Sequence, residues 1–572
     1  MNLGKRALCI VSLAAFHLLV VAFLGCQPNS PTTSPTEDFG PPWFEDVSGK
    51  SGLNFVHDAG PGGSYFLPEI MGSGAALFDC DNDGRLDIYL VQNGGPKSAS
   101  KNRLFHQKED GTFEDISAGS GLDVSGYGMG VAIADVNNDG FPDVLLTQYG
   151  GIRLFLNNGN RTFTEVTKEA GLDSVHWAMS ASFVDYDRDG WLDLVVVHYV
   201  DYQPAVHCTG TNARQDYCHP SMFQGTATSL FHNLGRSADG KIAFEDVTVK
   251  AGLAKRPAPG LGVLCADFNG DGWPDIFVAN DAKPNHLWIN QKDGTFREEA
   301  VARGCAYNAI GKAEGNMGIV YGDVDGDGMP DLFVTHLTSE TSTLWQQGPI
   351  GIFTDRTLSS GLASPRWRGT GFGVVLADFA QRGCLDLAIV NGRVSRQSGG
   401  KSEGFDWPDY QERNQILVND GQGHFRDVSP GNPAFCGTPA IGRGLCAGDI
   451  FGTGRVDLLA TSLHGPARLY RNVAPNVGHW LIVRAMLPEW KRDAYGATIT
   501  VRAGGKQFTR LIQPASSYLC SNDPRAHFGL GSAEKVDTIR IAWPDGAVEE
   551  FPGCAADQRL TLRKGEGTAV AR

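Results

Sequence analysis

One nine-residue string, Asp-x-Asp/Asn-x-Asp-Gly-x-x-Asp, recurs along the chain, starting at Asp79, Asp135, Asp185, Asp267 and Asp323. Degraded copies start at Asp378 and Asp449. Successive starts lie 50–56 residues apart, except for gaps of 82 and 71. Such repetition demands copies of one supersecondary unit that bury their apolar faces against each other. Each string is followed by an apolar run, such as Ile88–Val91, Leu194–Val197 and Leu332–Val334. Runs of this length rich in Val, Ile and Phe predict strands buried on both faces. A second strand signal follows in each unit, as in Arg103-Leu104-Phe105 and Arg153-Leu154-Phe155-Leu156. A third comes after a Gly-rich turn, as in Gly111-Thr112-Phe113. The 73 glycines suit a chain with many tight turns. Four short strands per unit predict a blade of a β-propeller.

The third signal carries a phenylalanine at Phe44, Phe113, Phe163, Phe244, Phe296, Phe353 and Phe425. Seven copies match seven acidic loops, but Phe44 precedes every loop and none follows Asp449. The offset predicts an all-β, seven-bladed propeller over residues 43–475, closed by the N-terminal strand, which removes free sheet edges. A linear array of units is the alternative.

The acidic loops have the chemistry of calcium sites. Calcium takes six to eight oxygens in a flexible cage. Positions 1, 3, 5 and 9 supply side chains, and position 7 a carbonyl. The sets are Asp79, Asp81, Asp83, Arg85 and Asp87; Asp135, Asn137, Asp139, Phe141 and Asp143; Asp185, Asp187, Asp189, Trp191 and Asp193; Asp267, Asn269, Asp271, Trp273 and Asp275; and Asp323, Asp325, Asp327, Met329 and Asp331. Position 12 is apolar, which excludes an EF-hand. A metal-free Asp/Gly turn is the plainer reading, but three or four carboxylates within nine residues repel unless a cation lies among them. Five calcium ions would bring the formal charge from −15 to −5. The sixth loop has Ala380 and Arg382 at ligand positions and the seventh has Phe451 and Thr453, so neither is expected to bind metal. Arg382 is a candidate to insert its guanidinium where an ion would sit.

Residues 1–26 read as an export segment. Lys5 and Arg6 precede an apolar stretch from Ala7 to Leu24, and Phe23-Leu24-Gly25-Cys26 resembles a bacterial lipoprotein box, with lipidation at Cys26. An ordinary signal peptide and an uncleaved anchor are the alternatives. Residues 27–42, rich in Pro, Ser and Thr, read as a flexible tether. The expected location is the cell envelope, as an outer-membrane lipoprotein or in the periplasm or at the cell surface, with membrane contact through the lipid alone. Export permits a disulfide between Cys208 and Cys218, which lie in a polar insertion at 200–228. That insertion is a candidate specificity surface; a decorative loop fits equally. The acidic balance argues against nucleic acid as partner.

The repeats resemble the FG-GAP/VCBS type found in integrin α-chain propellers and bacterial surface proteins, over about residues 44–473. After residue 475 the pattern changes. His479–Val483, Tyr495-Gly496-Ala497, Thr498–Val501, Ser516-Ser517-Tyr518, His527–Gly531 and Ile541–Gly546 resemble the ASPIC/UnbV domain of the cartilage acidic protein-like family. The segments predict a small β-sandwich over 476–572. The resemblance implies no catalytic role for this domain.

Catalytic motifs such as Gly-x-Ser-x-Gly, HExxH or a Walker loop are missing from the sequence. Five residues after each position-9 aspartate lies a polar residue: Gln92, Gln148, His198, Asn280, His336, Asn391 and Ser462. They are expected on the face opposite the acidic loops, either capping local turns or forming a ligand-binding mouth. The expected function is non-catalytic recognition of a protein or carbohydrate ligand; an exported carbohydrate-active enzyme or lectin is the alternative, and a structural envelope protein a third.

Overall fold

The computed structural model describes residues 39–210, 213–397, 405–475 and 477–571. The stretch read as an export segment, Cys26 and most of the stretch read as a tether lie outside the described residues. The described chain is almost entirely β, with three single-turn α-helices.

Seven antiparallel sheets repeat one plan. In the second sheet, Gly128–Ala134, Asp143–Gln148, Gly151–Asn157 and Phe163–Glu165 pair in sequence order. The third to sixth sheets begin at Ala178, Gly260, Ile319 and Gly371 and follow the same order. In each, the acidic loop joins the first strand to the second. The seventh sheet takes Gly442–Gly448, Asp457–Ser462 and Arg468–Asn472 from one end of the chain and Phe44–Asp46 from the other. There Phe44 pairs with Asn472 and Asp46 with Tyr470, so the edge of Arg468–Asn472 is covered. The first strands of successive sheets pack side by side, and that of the seventh packs beside that of the first. The architecture is propeller-like.

Neighbouring sheets are stapled by a repeated amide. Asn157, Asn233, Asn290, Asn419 and Asn472 each donate through Nδ2 to the position-2 carbonyl of the preceding acidic loop, at Cys80, Val136, Tyr186, Val324 and Phe379, over 2.8–2.9 Å. Gln107 of the first sheet donates in the same way to Ile450 of the seventh, at 2.8 Å. Gln347 departs from the pattern and bonds the Tyr321 hydroxyl instead.

The C-terminal domain has a five-stranded sheet containing Thr498–Ala503, Lys506–Leu511 and Lys535–Ala542, faced by a second built on His479–Leu487. Ile499, Val501, Phe528, Ile539 and Ile541 are buried between them. The domain and the repeats form one compact unit from Phe39 to Arg572. Its segment Ala515–Ser521 leaves the domain and enters the centre of the repeats. Cys520 and Ser521 pair in parallel with Ala75 and Ala76 of the first sheet. Leu519 accepts from Val131 N–H, Ser517 exchanges backbone bonds with Ile319, and its hydroxyl accepts from Val374 N–H. Ala515–Ser516 lies against the first strands of the third and fourth sheets, and Asn522 bonds Ala447 of the seventh. All seven sheets therefore touch this one segment and its flank. Close approach needs glycine: a Cβ on Gly74 would meet the Leu519 carbonyl at 2.5 Å, and one on Gly444 the Cys520 sulfur at 2.8 Å.

Candidate metal centres

The acidic loops share a hydrogen-bonded skeleton, complete at position 9 in six of the seven; in the sixth loop, one Asp386 oxygen has no hydrogen-bond partner. The position-9 aspartates (Asp87, Asp143, Asp193, Asp275, Asp331, Asp386 and Asp457) are buried. One oxygen of Asp143 accepts from Val136 N–H at 2.9 Å and the other from Asn157 N–H at 2.8 Å. Asp457 makes the same two bonds, to Ile450 and Asn472, in a degraded loop. The position-1 aspartate accepts from the position-6 glycine in every loop, as Asp79 does from Gly84 at 2.8 Å and Asp449 from Gly454 at 2.9 Å. The loops differ at positions 3 and 5. There the first five present carboxylate or amide oxygens, and each position-7 residue (Arg85, Phe141, Trp191, Trp273, Met329) donates its N–H to the position-5 aspartate.

Three of these loops bring carboxylates within 4.8 Å of one another: Asp79, Asp81 and Asp83; Asp185, Asp187 and Asp189; Asp323, Asp325 and Asp331. Burial, reinforced by neighbouring carboxylates, pushes Asp79 up to about 6 and Asp331 up to about 8. Burial likewise pushes Asp185 to about 7, its neighbouring carboxylates adding to it and Arg492 opposing. One oxygen of Asp185, a buried residue, has no hydrogen-bond partner. An orphaned buried carboxylate oxygen inside a triad of carboxylates fits a hard cation. In the second and fourth loops asparagine replaces one carboxylate, and basic groups stand close: Arg236 donates to Asn137, and Lys292 lies 3.2 Å from Asp271. Histidines stand at two loops, His106 bonding Asp87 and His232 bonding Asp193, each at 3.0 Å.

The degraded loops carry guanidinium groups instead. Arg382 reaches Asp386 at 2.7 Å, and Arg559 of the C-terminal domain pairs with Asp449. Successive loops are also linked directly. Asn82, Asn138, Arg188 and Gln381, all at position 4, donate to the position-6 carbonyl of the next loop, at Gly140, Gly190, Gly272 and Gly454. The C-terminal domain docks on this face, setting Trp490 on Gly190, Phe508 on Gly383 and Trp480 on Gly454. Arg492, buried, bonds Asn138 and the Gly190 carbonyl, between the second and third loops.

The seven polar residues at the opposite strand ends do not surround an open mouth. Six are used locally: Gln92 holds Asp58 and Val56, His198 meets Ser229, Asn280 caps Pro284, His336 meets Thr343, Asn391 caps Arg413 and Ser462 accepts from Ile441. Among the described residues Gln148 alone of the seven makes no side-chain hydrogen bond. The channel between them is filled, because Met129, Met179, Leu261, Met317 and Phe372 pack around Tyr518 and Leu519.

Cys208 and Cys218 are bonded. Part of their insertion packs inward. Asp216 accepts from Tyr410 and from Arg396 N–H, and Tyr217 is buried against Tyr65 and Tyr410. Short-range sequence patterns do not reveal that two insertions meet. The inter-sheet amides did leave a signal, the recurring Leu-aromatic-x-Asn/Gln of the third strand. The inserted segment and Arg492 left none beyond the Ser-Ser-Tyr string.

Comparison with known families matches FG-GAP-like repeats at residues 79–146, 135–196 and 267–334 and the ASPIC and UnbV domain at 488–569. Cartilage acidic protein 1 of Mus musculus is 27% identical over 54% of this chain and 45% of its own length. The Xenopus tropicalis protein is 24% identical over 73% of this chain and 70% of its own. The chain thus spans less than half of the mouse relative. Among solved structures, an Agrocybe aegerita lectin recognising non-reducing terminal N-acetylglucosamine aligns with TM-score 0.37 and 17% identity, over 63% of this chain and 81% of that one. BBS1N in complex with ARL6DN aligns with TM-score 0.38 and 12% identity, over 77% and 99%.

Proposed function

We propose that this chain, which carries FG-GAP-like repeats and an ASPIC and UnbV domain, is an exported, calcium-stabilised recognition protein without catalytic activity. Its repeats form a closed seven-bladed propeller, and its ligand is a protein or glycan met at the cell envelope. The observation that carries calcium is the orphaned, buried oxygen of Asp185 beside Asp187 and Asp189. Closure is supported by the pairing of Phe44 with Asn472, by the Gln107–Ile450 bond, and by Thr461, whose hydroxyl donates to the Ser73 carbonyl. Export is supported by the apolar N-terminal stretch ending at Cys26 and by the Cys208–Cys218 bond, of a kind favoured in an oxidising compartment. A recognition role suits a scaffold whose channel is filled and whose loops lie at the rim.

The test is capture of ligands on the immobilised full chain, from protein extracts and on a glycan array, with calcium and with EGTA. Saturable, calcium-dependent binding is expected. Turnover of a bound glycan or peptide would contradict the reading. Radiolabelled palmitate incorporation that disappears in Cys26→Ala tests the anchor.

A further inference from the structure

Gln148 stands out because the six equivalent polar residues are committed to local turns and it is not. Its amide opens into a cleft of about 630 Å³, within the range of small-ligand sites. Two tyrosines beside it, Tyr127 and Tyr149, are partly buried, with rings 6.2 Å apart. They are held from behind: Phe66 packs edge-on against both, at 5.0 and 5.3 Å, and Trp177 supports Tyr149 at 5.4 Å. The aromatic surface is therefore fixed before any ligand arrives, which lowers the ordering cost of binding.

The one guanidinium of the cleft is spent. Arg153 forks onto Glu165, at 3.0 and 2.5 Å, so no free guanidinium offers itself to a phosphate or carboxylate. What remains open is an amide that both donates and accepts, two phenol hydroxyls, and at the rim the Lys168 ammonium with the Glu169 and Asp173 carboxylates, a balance that offers no excess positive charge to an anion. Rigid tyrosine rings beside hydroxyl-directed donors and acceptors match a pyranose, with its apolar C–H face and its rim of hydroxyls. The backbone admits such a ligand closely, because Gly150 has open space around it and a Cβ at Gly126 would fall 2.9 Å from the Gln148 amide oxygen.

We propose that the cleft formed by Tyr127, Gln148 and Tyr149 binds a neutral saccharide. This rests on the recognition reading above and names its ligand class. The test uses the full chain in calcium, titrated by calorimetry with neutral tri- to hexasaccharides of gluco-, manno-, galacto- and N-acetylglucosamine series. One series is expected to bind saturably, with affinity lowered about tenfold or more in Gln148→Ala and in Gly126→Ala, which crowds the cleft, while both variants keep the parent melting temperature. Binding that neither substitution weakens would place the sugar elsewhere, overturning this assignment while sparing the recognition reading. Failure of every series to bind would also overturn it, and the recognition reading would then be judged by protein capture.

Discussion

The Tyr518 hydroxyl donates to the Met71 carbonyl at 3.1 Å, across 447 residues of chain, while its ring packs edge-on against Phe372 at 4.8 Å. Tyr518 belongs to the C-terminal domain and both partners to the repeats. It is fully buried, and its neighbours Ser517 and Leu519 take left-handed backbone angles, with φ of 73° and 60°. Non-glycine residues hold such angles only where surroundings over-determine them. The two domains should accordingly unfold together. Tyr518→Ala should cost about 3–5 kcal/mol and Tyr518→Phe about 1 kcal/mol, measured by urea unfolding. Two separated transitions in the parent protein would contradict this coupling.

Gln107 closes the series of inter-sheet amides. Gln107→Ala leaves the buried Ile450 carbonyl without its partner, at a cost of about 1–3 kcal/mol. Asn157→Ala should cost a similar amount, since it breaks the same bond one sheet along. If Gln107→Ala proved neutral while Asn157→Ala did not, the first and seventh sheets would not be joined as neighbours in solution.

Arg382 occupies the sixth loop as a built-in cation. Arg382→Ala strands Asp386, which is buried and otherwise held by the Asn419 amide. A loss of roughly 1–3 kcal/mol is expected, discounted for the partial exposure of the arginine. The loss should be the same in calcium and in EGTA if, as its residues lead us to expect, this loop takes no ion. A calcium-dependent loss would contradict that assignment.

Glu69 supplies a pH test away from the acidic loops. It is buried, accepts from Ser64 at 2.9 Å, and leaves its other oxygen unpartnered. Burial pushes its carboxyl up to about 7. A raised carboxyl favours the folded state fully below the unfolded value near 4.5 and loses that contribution as pH rises through 7. Glu69→Gln should therefore match the parent near pH 4 and exceed it by roughly 1–3 kcal/mol at pH 8. Equal pH dependence of both proteins would contradict the placement.

The repeat, the strands and the acidic loops were legible because each is written in local residues: an apolar run, a glycine, a string of aspartates. Even the final strand of the seventh sheet could be inferred, from the offset of Phe44. The position-9 aspartates were read only as metal ligands, whereas Asp386 and Asp457 show them to be backbone ties first. The Ser516–Ser521 insertion was illegible because its partners come from seven sheets and depend on tertiary placement. The same holds for Tyr217 and Tyr410, which meet only when two insertions fold onto one face.

The most direct measurement is calcium content by mass spectrometry of the dialysed protein, paired with its melt in EGTA. About five ions per chain are expected, falling by one in Asp185→Ala, with a melting temperature many degrees lower after chelation. A protein that retains no calcium and melts unchanged in EGTA would contradict the account.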